Sequence, residues 1–177
     1  MIELLRKRRS IRKFSDAKID GKPLLLLQEA LLRAPSSRAI KPCEFIFVDD
    51  TAQLLELSHC KARGATFLAD APLGIVICGD ESKSDVWVED CSIASIFVQL
   101  TGLSLGLGSC WIQIRNRLAA DGTTSEAMIR TLLGIPDALR VLSIIALGYP
   151  EEEKGPVREE DLDFRKIHFN GYKIIDK

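Results

Sequence analysis

Residues 85–114 read DVWVEDCSIASIFVQLTGLSLGLGSCWIQI, and from Cys91 to Ile114 no charged side chain interrupts them. A run of that length is long enough to span a bilayer. Its polar and small residues (Ser92, Ser95, Gln99, Thr101, Gly102, Ser104) and the Gly106-Leu107-Gly108 break favour a buried helix followed by a buried strand. The acidic start suits a helix N-terminus, which carries partial positive charge. Past Asp90 the helix, expected over 85–105, is apolar nearly all round, and such a helix is buried on all faces. In a chain of 177 residues it is therefore central or lies at a subunit interface. Gly106 and Gly108 end it, and a strand is expected over 109–115.

Outward from this core the pattern alternates. Short helix 2–8 opens the chain. A second helix is expected over 23–34, with Pro23 in its first turn and Leu24, Leu27 and Leu31 at helical spacing. Ala34-Pro35-Ser36-Ser37 ends it, because the residue before proline is pushed out of the α region. Strand 44–48 follows, then helix 52–59 capped by Thr51, strand 73–78, helix 124–133 and strand 141–147. Thr123 and Glu126 have the spacing of a capping box for the helix over 124–133. Four apolar strands interleaved with helices indicate one sheet sandwiched by helices in a single domain over 1–177. The charged stretch 151–177 reads as a C-terminal extension across a surface, that of a partner subunit.

Composition excludes several function classes. A net charge of −1 gives no general attraction for nucleic acid or an anionic membrane. Five cysteines at wide spacings, without CxxC, exclude a disulfide scaffold and fit reduced thiols in the cytoplasm. Two histidines nearly exclude a histidine metal site within one chain. Gly106-Leu107-Gly108 resembles the start of a dinucleotide fingerprint, but that motif needs its strand before the glycines and its helix after them. The order here is reversed. There is no Walker A sequence and no G-x-S-x-G elbow, and adjacent His59 and Cys60 point to different faces of a helix.

The basic start is more informative. Six of the first thirteen residues are Arg or Lys, which reads as an anion site, a nucleic-acid arm or a solvated helix end. Arg8, Arg9 and Arg12 surround Ser10 where the first helix stops. A helix C-terminus repels anions, so an anion there needs side-chain charge. Arginine supplies it best, through a planar fork that holds phosphate oxygens bidentately.

Arg8-Arg9-Ser10-Ile11-Arg12-Lys13-Phe14 resembles the N-terminal motif of the FMN-dependent nitroreductase family. Ala34-Pro35-Ser36-Ser37 through Pro42 resembles that family's serine loop. Asp70-Ala71-Pro72, Leu105 through Ile112, Leu133-Gly134-Ile135-Pro136 and Leu147-Gly148-Tyr149-Pro150 follow in the family's order, so the resemblance covers nearly the whole chain. It implies an α+β, nitroreductase-like fold: a central, mostly antiparallel sheet flanked by helices, with the long helix at the interface of a homodimer that holds two FMN molecules.

By the same resemblance Arg8, Arg9, Ser10 and Arg12 hold the flavin phosphate and the pyrimidine edge. Pro35, Ser36, Ser37 and Ala39 lie in the loop that reaches the partner's flavin. Gln113 and Ile114 mark where a backbone N–H approaches flavin N5, and Lys154 or Arg158 completes the phosphate site. Ala39, Lys41 and Cys43 stand where the family often has asparagine, glutamine and tryptophan. Lys61 to Phe67 is expected to be a mobile loop near the pocket. The implied activity is hydride transfer from NADH or NADPH, through flavin N5, to a small acceptor such as a nitroaromatic or a quinone. The alternative is a flavin protein of other chemistry, either a reductive dehalogenase or a flavin carrier. No nucleic acid, membrane or metal partner is expected.

Overall fold

The computed structural model describes residues 1–172. Helix α1 (Ile2–Lys7) is followed by α2 (Gly21–Leu32), strand β1 (Cys43–Val48), α3 (Thr51–Ser58) and β2 (Leu73–Asp80). Then come α4 (Trp87–Ser104), β3 (Gly108–Gln113), α5 (Ser125–Leu133) and β4 (Leu139–Gly148). The strands form one sheet in the order β1-β2-β4-β3, and all three pairings are antiparallel. This is the expected α+β arrangement.

Alternation along the two central strands divides the core. Leu73, Ile75 and Ile77 of β2, with Ile145 and Leu147 of β4, pack on Leu27 and Leu31 of α2 and on Trp87, Cys91, Ala94 and Val98 of α4. Val76, Cys78, Ile144 and Ala146 face the other way, onto Leu54 and Leu57 of α3, Ile129 of α5 and Leu68. β2 is buried at every residue, as a central strand covered on both faces must be.

Three close approaches set how the N-terminal segment meets the sheet. Ile11 N–H donates to the Ser109 carbonyl (3.0 Å), so the chain after α1 lies along the outer edge of β3. A Cβ on Gly108 would sit 2.8 Å from Ile11 Cβ, and one on Gly148 would sit 2.7 Å from Pro72 Cδ and 2.8 Å from Phe14 Cβ. Only glycine permits those contacts without displacement. Gly108→Ala is therefore expected to destabilise the fold by about 1–3 kcal/mol through overpacking, read as a lower midpoint in urea unfolding.

The local details correct several expectations. α4 begins at Trp87, because residues 80–86 are tied in turns around Asp80, which accepts from Ser82 N–H (3.0 Å) and Ser82 Oγ (2.6 Å). Thr124, not Thr123, caps α5, accepting from Ala127 N–H (3.2 Å). Glu126 closes no capping box; its carboxylate accepts the β4 N–H of Val141 (2.9 Å) instead. Asp50, not Thr51, caps α3 through Gln53 N–H (2.9 Å). Residues 61–65 are irregular and Thr66–Asp70 form a 3-10 turn; Ala62 N–H donates to Leu118 O (3.0 Å), and Ala65 is buried. Finally, α4 is not buried all round. Ile93, Ile96 and Phe97 are 37%, 36% and 40% exposed and form an outward apolar face. α1, with Ile2 and Leu5 exposed, packs beside it. Among the described residues no helix is long and apolar enough to cross a membrane.

A cationic site at the free edge of the sheet

β3 is an edge strand, so one side of its backbone has no strand partner. The register fixes which groups face outward. Ile114 N–H donates inward to Leu142 O (3.1 Å), continuing the pattern in which the even residues bond β4. Ser109, Trp111 and Gln113 therefore turn their backbone groups to the outer edge. Ile11 takes up the Ser109 carbonyl, and among the described residues the edge beyond it, with the Gln113 N–H, stays open. Of the two positions expected to offer an N–H there, Ile114 has its donor engaged inside the sheet and its side chain fully buried. The Gln113 side chain is turned along its own strand: it accepts from Trp111 Nε1 (3.0 Å) and donates to the Arg115 carbonyl (3.0 Å).

The basic residues converge beside this edge. Cys110 on β3 is buried, and burial pushes its thiol above the usual range. The charges of Arg12, Lys154 and Arg8 and a hydrogen bond from Ser10 act in the opposite sense. The bridge between Ser10 and Ser109 brings the segment carrying Arg8 and Arg12 to this edge of β3. Lys154 donates to the Ser10 carbonyl (2.7 Å) and pairs with Glu152 (3.1 Å). Glu152 also accepts the Arg12 N–H (2.5 Å), and this bond, with the lysine, holds its carboxyl below the ordinary 4.5. The Arg12 guanidinium lies 5.7 Å from the centre of the Phe67 ring, a cation–π contact that leaves its N–H donors unused.

The four arginines expected to share the work are not equivalent. Among the described residues the guanidinium groups of Arg8 and Arg12 make no hydrogen bond or ion pair. Arg9 is spent on the Gly155 carbonyl. Arg158 is spent on Asp161 (2.9 Å) and Glu160, well out in the tail. Lys154, rather than Arg158, stands beside Ser10. At the start of the tail Glu151 N–H donates to Lys13 O (2.9 Å), so 151–155 clasp the chain's own N-terminal segment.

The serine loop lies apart from this cluster; among the described residues no hydrogen bond joins the two. Its geometry is tightly specified. Ser37 N–H donates to Asp90 Oδ1 (2.8 Å), whose other oxygen accepts from Ser84 Oγ (3.3 Å). Ser36 Oγ accepts from Lys41 N–H (2.8 Å), and Arg38 pairs with Asp85. Arg38, Ala39 and Lys41 all have left-handed backbone angles (φ 52°, 55° and 53°). Non-glycine residues hold that conformation only where the surroundings over-determine it. Sequence reasoning missed Asp90, the buried carboxylate that fixes the loop; beside Glu89 in the first turn of α4 it reads as an ordinary acidic helix start, and nothing in the sequence marks it as buried.

A cleft of about 710 Å³ borders the cationic cluster, lined by Arg12, Lys13, Asp16, Thr51, Asp70 and Glu151 among others. Another, about 360 Å³ and more apolar, lies between α3 and α5. Among the described residues no group of His, Cys, Asp and Glu is placed to hold a metal ion.

Fold and site together define a class: α+β chains with an antiparallel sheet between helices and a cationic cluster at the sheet's free edge. A profile of the nitroreductase family matches residues 5–62 and 50–149. The chain belongs to the nitroreductase family, and it is an oxidoreductase. It is 35% identical over 166 residues to a protein of Archaeoglobus fulgidus whose name places it among NADH dehydrogenases and NAD(P)H nitroreductases, covering 90% of this chain and 91% of that one. A solved structure of an FMN-dependent nitroreductase from Clostridium difficile R20291 superposes with a TM-score of 0.94 at 47% identity, covering 97% of this chain and 99% of that chain. An NADPH:FMN oxidoreductase from Vibrio harveyi shares the fold alone, with a TM-score of 0.82 at 24% identity over 99% of this chain and 79% of that one.

Proposed function

We propose that the chain is an FMN-dependent oxidoreductase that works as a cytoplasmic homodimer and uses NADH or NADPH to reduce a small acceptor, a nitroaromatic or a quinone. The observation that carries this reading is the pair of unspent guanidinium groups, Arg8 and Arg12, grouped with Ser10 and Lys154 beside an open strand edge. A phosphate with a flat ring attached matches that arrangement: the cations take the phosphate and the edge takes the ring. Bound FMN supplies the chemistry, accepting a hydride at N5 and passing it on.

The chain's own groups bind and orient. Arg8 and Arg12 supply bidentate donors, Ser10 a hydroxyl, and Lys154 a point charge held in place by Glu152. The Gln113 N–H is the backbone donor available at the N5 edge of the ring. Arg9 positions the segment through Gly155 rather than meeting the ligand. Pro35, Ser36, Ser37 and Ala39 lie away from the cluster in their own chain, so they reach a flavin only from the second subunit. The outward apolar face of α4 supports that pairing. The exposed tail side chains Phe164, Ile167, Phe169 and Tyr172 support docking of 156–172 on the partner; residues 173–177 lie outside the described structure. Five free thiols fit a reducing compartment.

The test is direct. The purified protein is expected to be yellow or to take up added FMN, and anaerobic NADH or NADPH is expected to bleach the flavin band. Flavin that neither nucleotide bleaches would leave only a carrier or a protein of other chemistry. A colourless protein that takes up no FMN would overturn the reading altogether.

A further inference from the structure

The serine loop leads into β1 at Cys43, and directly beneath it stands a second sulfur. Cys43 Sγ and Cys91 Sγ are 3.4 Å apart. The approach is built into the backbone: Cys43 pairs across the sheet with Gly79, and a Cβ on Gly79 would lie 2.9 Å from Cys91 Sγ. Glycine at that position therefore leaves the room the Cys91 sulfur occupies. The two thiols are unlike. Cys43 is half-buried and borders a crevice of about 50 Å³ whose other walls include Pro35, Ser36, Lys41 and Asp90. That volume admits one water-sized molecule or little more. Cys91 is fully buried, and its proton has two acceptors within reach, the Cys43 sulfur and the Cys78 carbonyl (3.3 Å).

We propose that Cys43 and Cys91 form a peroxide-sensing thiol pair that closes to a reversible disulfide, with Cys43 attacking and Cys91 resolving. The Cys43 thiolate attacks one oxygen of hydrogen peroxide. The O–O bond breaks, Cys43 becomes a sulfenic acid, and the departing hydroxide takes up the proton Cys43 released, giving the first water. The Cys91 sulfur then attacks the Cys43 sulfur. The S–O bond breaks, and the oxygen leaves as the second water with the Cys91 proton. Two thiols lose two electrons and the peroxide gains them.

The electrostatics agree with this division. The hydrogen bond from Cys91 lowers the Cys43 thiol, against burial and the nearby Asp90 and Glu44 charges. Cys91 is pushed far up, first by that same hydrogen bond and then by burial. Cys60 and Cys78 are raised by burial to about 11 and about 12, lack a sulfur partner, and serve as internal controls. The bond would staple the exit of the serine loop to α4 one residue from Asp90, the group that already holds Ser37. None of this depends on a flavin being bound.

The experiment treats the purified full-length protein, with its FMN, with hydrogen peroxide, and maps cysteines by mass spectrometry under non-reducing conditions. The expected result is a linked Cys43–Cys91 peptide pair and loss of Cys43 alkylation by iodoacetamide, both reversed by dithiothreitol, with Cys60 and Cys78 unchanged. In Cys91→Ser, or Cys91→Ala should the serine variant not fold, peroxide should leave a dimedone-reactive Cys43 that dithiothreitol-reversible linkage no longer protects. Cys43 that resists peroxide, pairs with another cysteine, or runs on to sulfinic acid in the unsubstituted protein would overturn the proposal.

Discussion

Arg8→Ala is expected to weaken FMN binding about tenfold to a hundredfold while leaving the unfolding midpoint nearly unchanged, from the loss of a charge-assisted hydrogen bond worth ~1.5–3 kcal/mol. The two halves of this expectation share a cause. Arg8 caps the C-terminal end of α1 with its backbone, donating N–H to Leu4 O (2.9 Å), but its guanidinium has no protein partner among the described residues. Removing it costs the chain nothing it has built, and costs a bound phosphate a bidentate donor. Arg12→Ala should behave alike, with a small further loss from its contact with Phe67. Arg8→Lys should recover only part of the affinity, because an ammonium keeps the charge and loses the fork.

The same reasoning separates these residues from their neighbours. Arg158→Ala should leave FMN affinity unchanged, since its side chain is occupied by Asp161 and Glu160. Lys154→Ala should lower affinity and stability together, because Lys154 also ties Ser10 to Glu152. Titration of each variant with FMN by quenching of flavin fluorescence, beside urea unfolding, gives both numbers. FMN affinity unchanged in both Arg8→Ala and Arg12→Ala would remove the phosphate assignment.

This contrast also shows what a sequence can carry. Spacing put Arg8, Arg9, Arg12 and Ser10 in one short segment, and it could go no further, because which arginine is spent depends on residues far along the chain. Arg9 is used by Gly155, and Lys154 reaches Ser10 across the molecule. β2 and β4 were legible because continuous apolar runs suit strands buried on both faces. The caps of α3 and α5 were each misplaced by one residue, since Asp50 beside Thr51, and Thr124 beside Thr123, offer equivalent side-chain oxygens and only the backbone turn selects between them. The thiol pair was invisible for a similar reason. Cys43 and Cys91 are 48 positions apart, and what joins them is the β1–β2 register together with the missing Cβ of Gly79.

Phe97→Glu is expected to convert the proposed dimer to a monomer and to abolish FMN retention in the same step. Within one chain Ile93, Ile96 and Phe97 stand on the outward face of α4, with Ile2 and Leu5 of α1 close by. Fully covering a side chain of this size stabilises by about 1.5–3 kcal/mol, and a two-fold contact uses each of them twice. A glutamate placed there must bury its charge or keep the faces apart, and an unpaired buried carboxylate costs several kcal/mol, roughly the gain from two such side chains. The chain itself should fold, because Phe97 is already 40% exposed and lies outside both clusters of the core. In the proposed dimer the loss of flavin follows from the separation of the two halves of the site: Arg8, Arg12 and Lys154 stay, but the loop of Ser36 and Ser37 would arrive only with a second subunit. Sedimentation velocity, the flavin absorbance of the purified variant and its circular dichroism together decide the matter. A folded monomer that binds FMN as the unsubstituted protein does would show that the serine loop is not needed from a partner, and a flavin-loaded dimer would show that this face of α4 is not the contact.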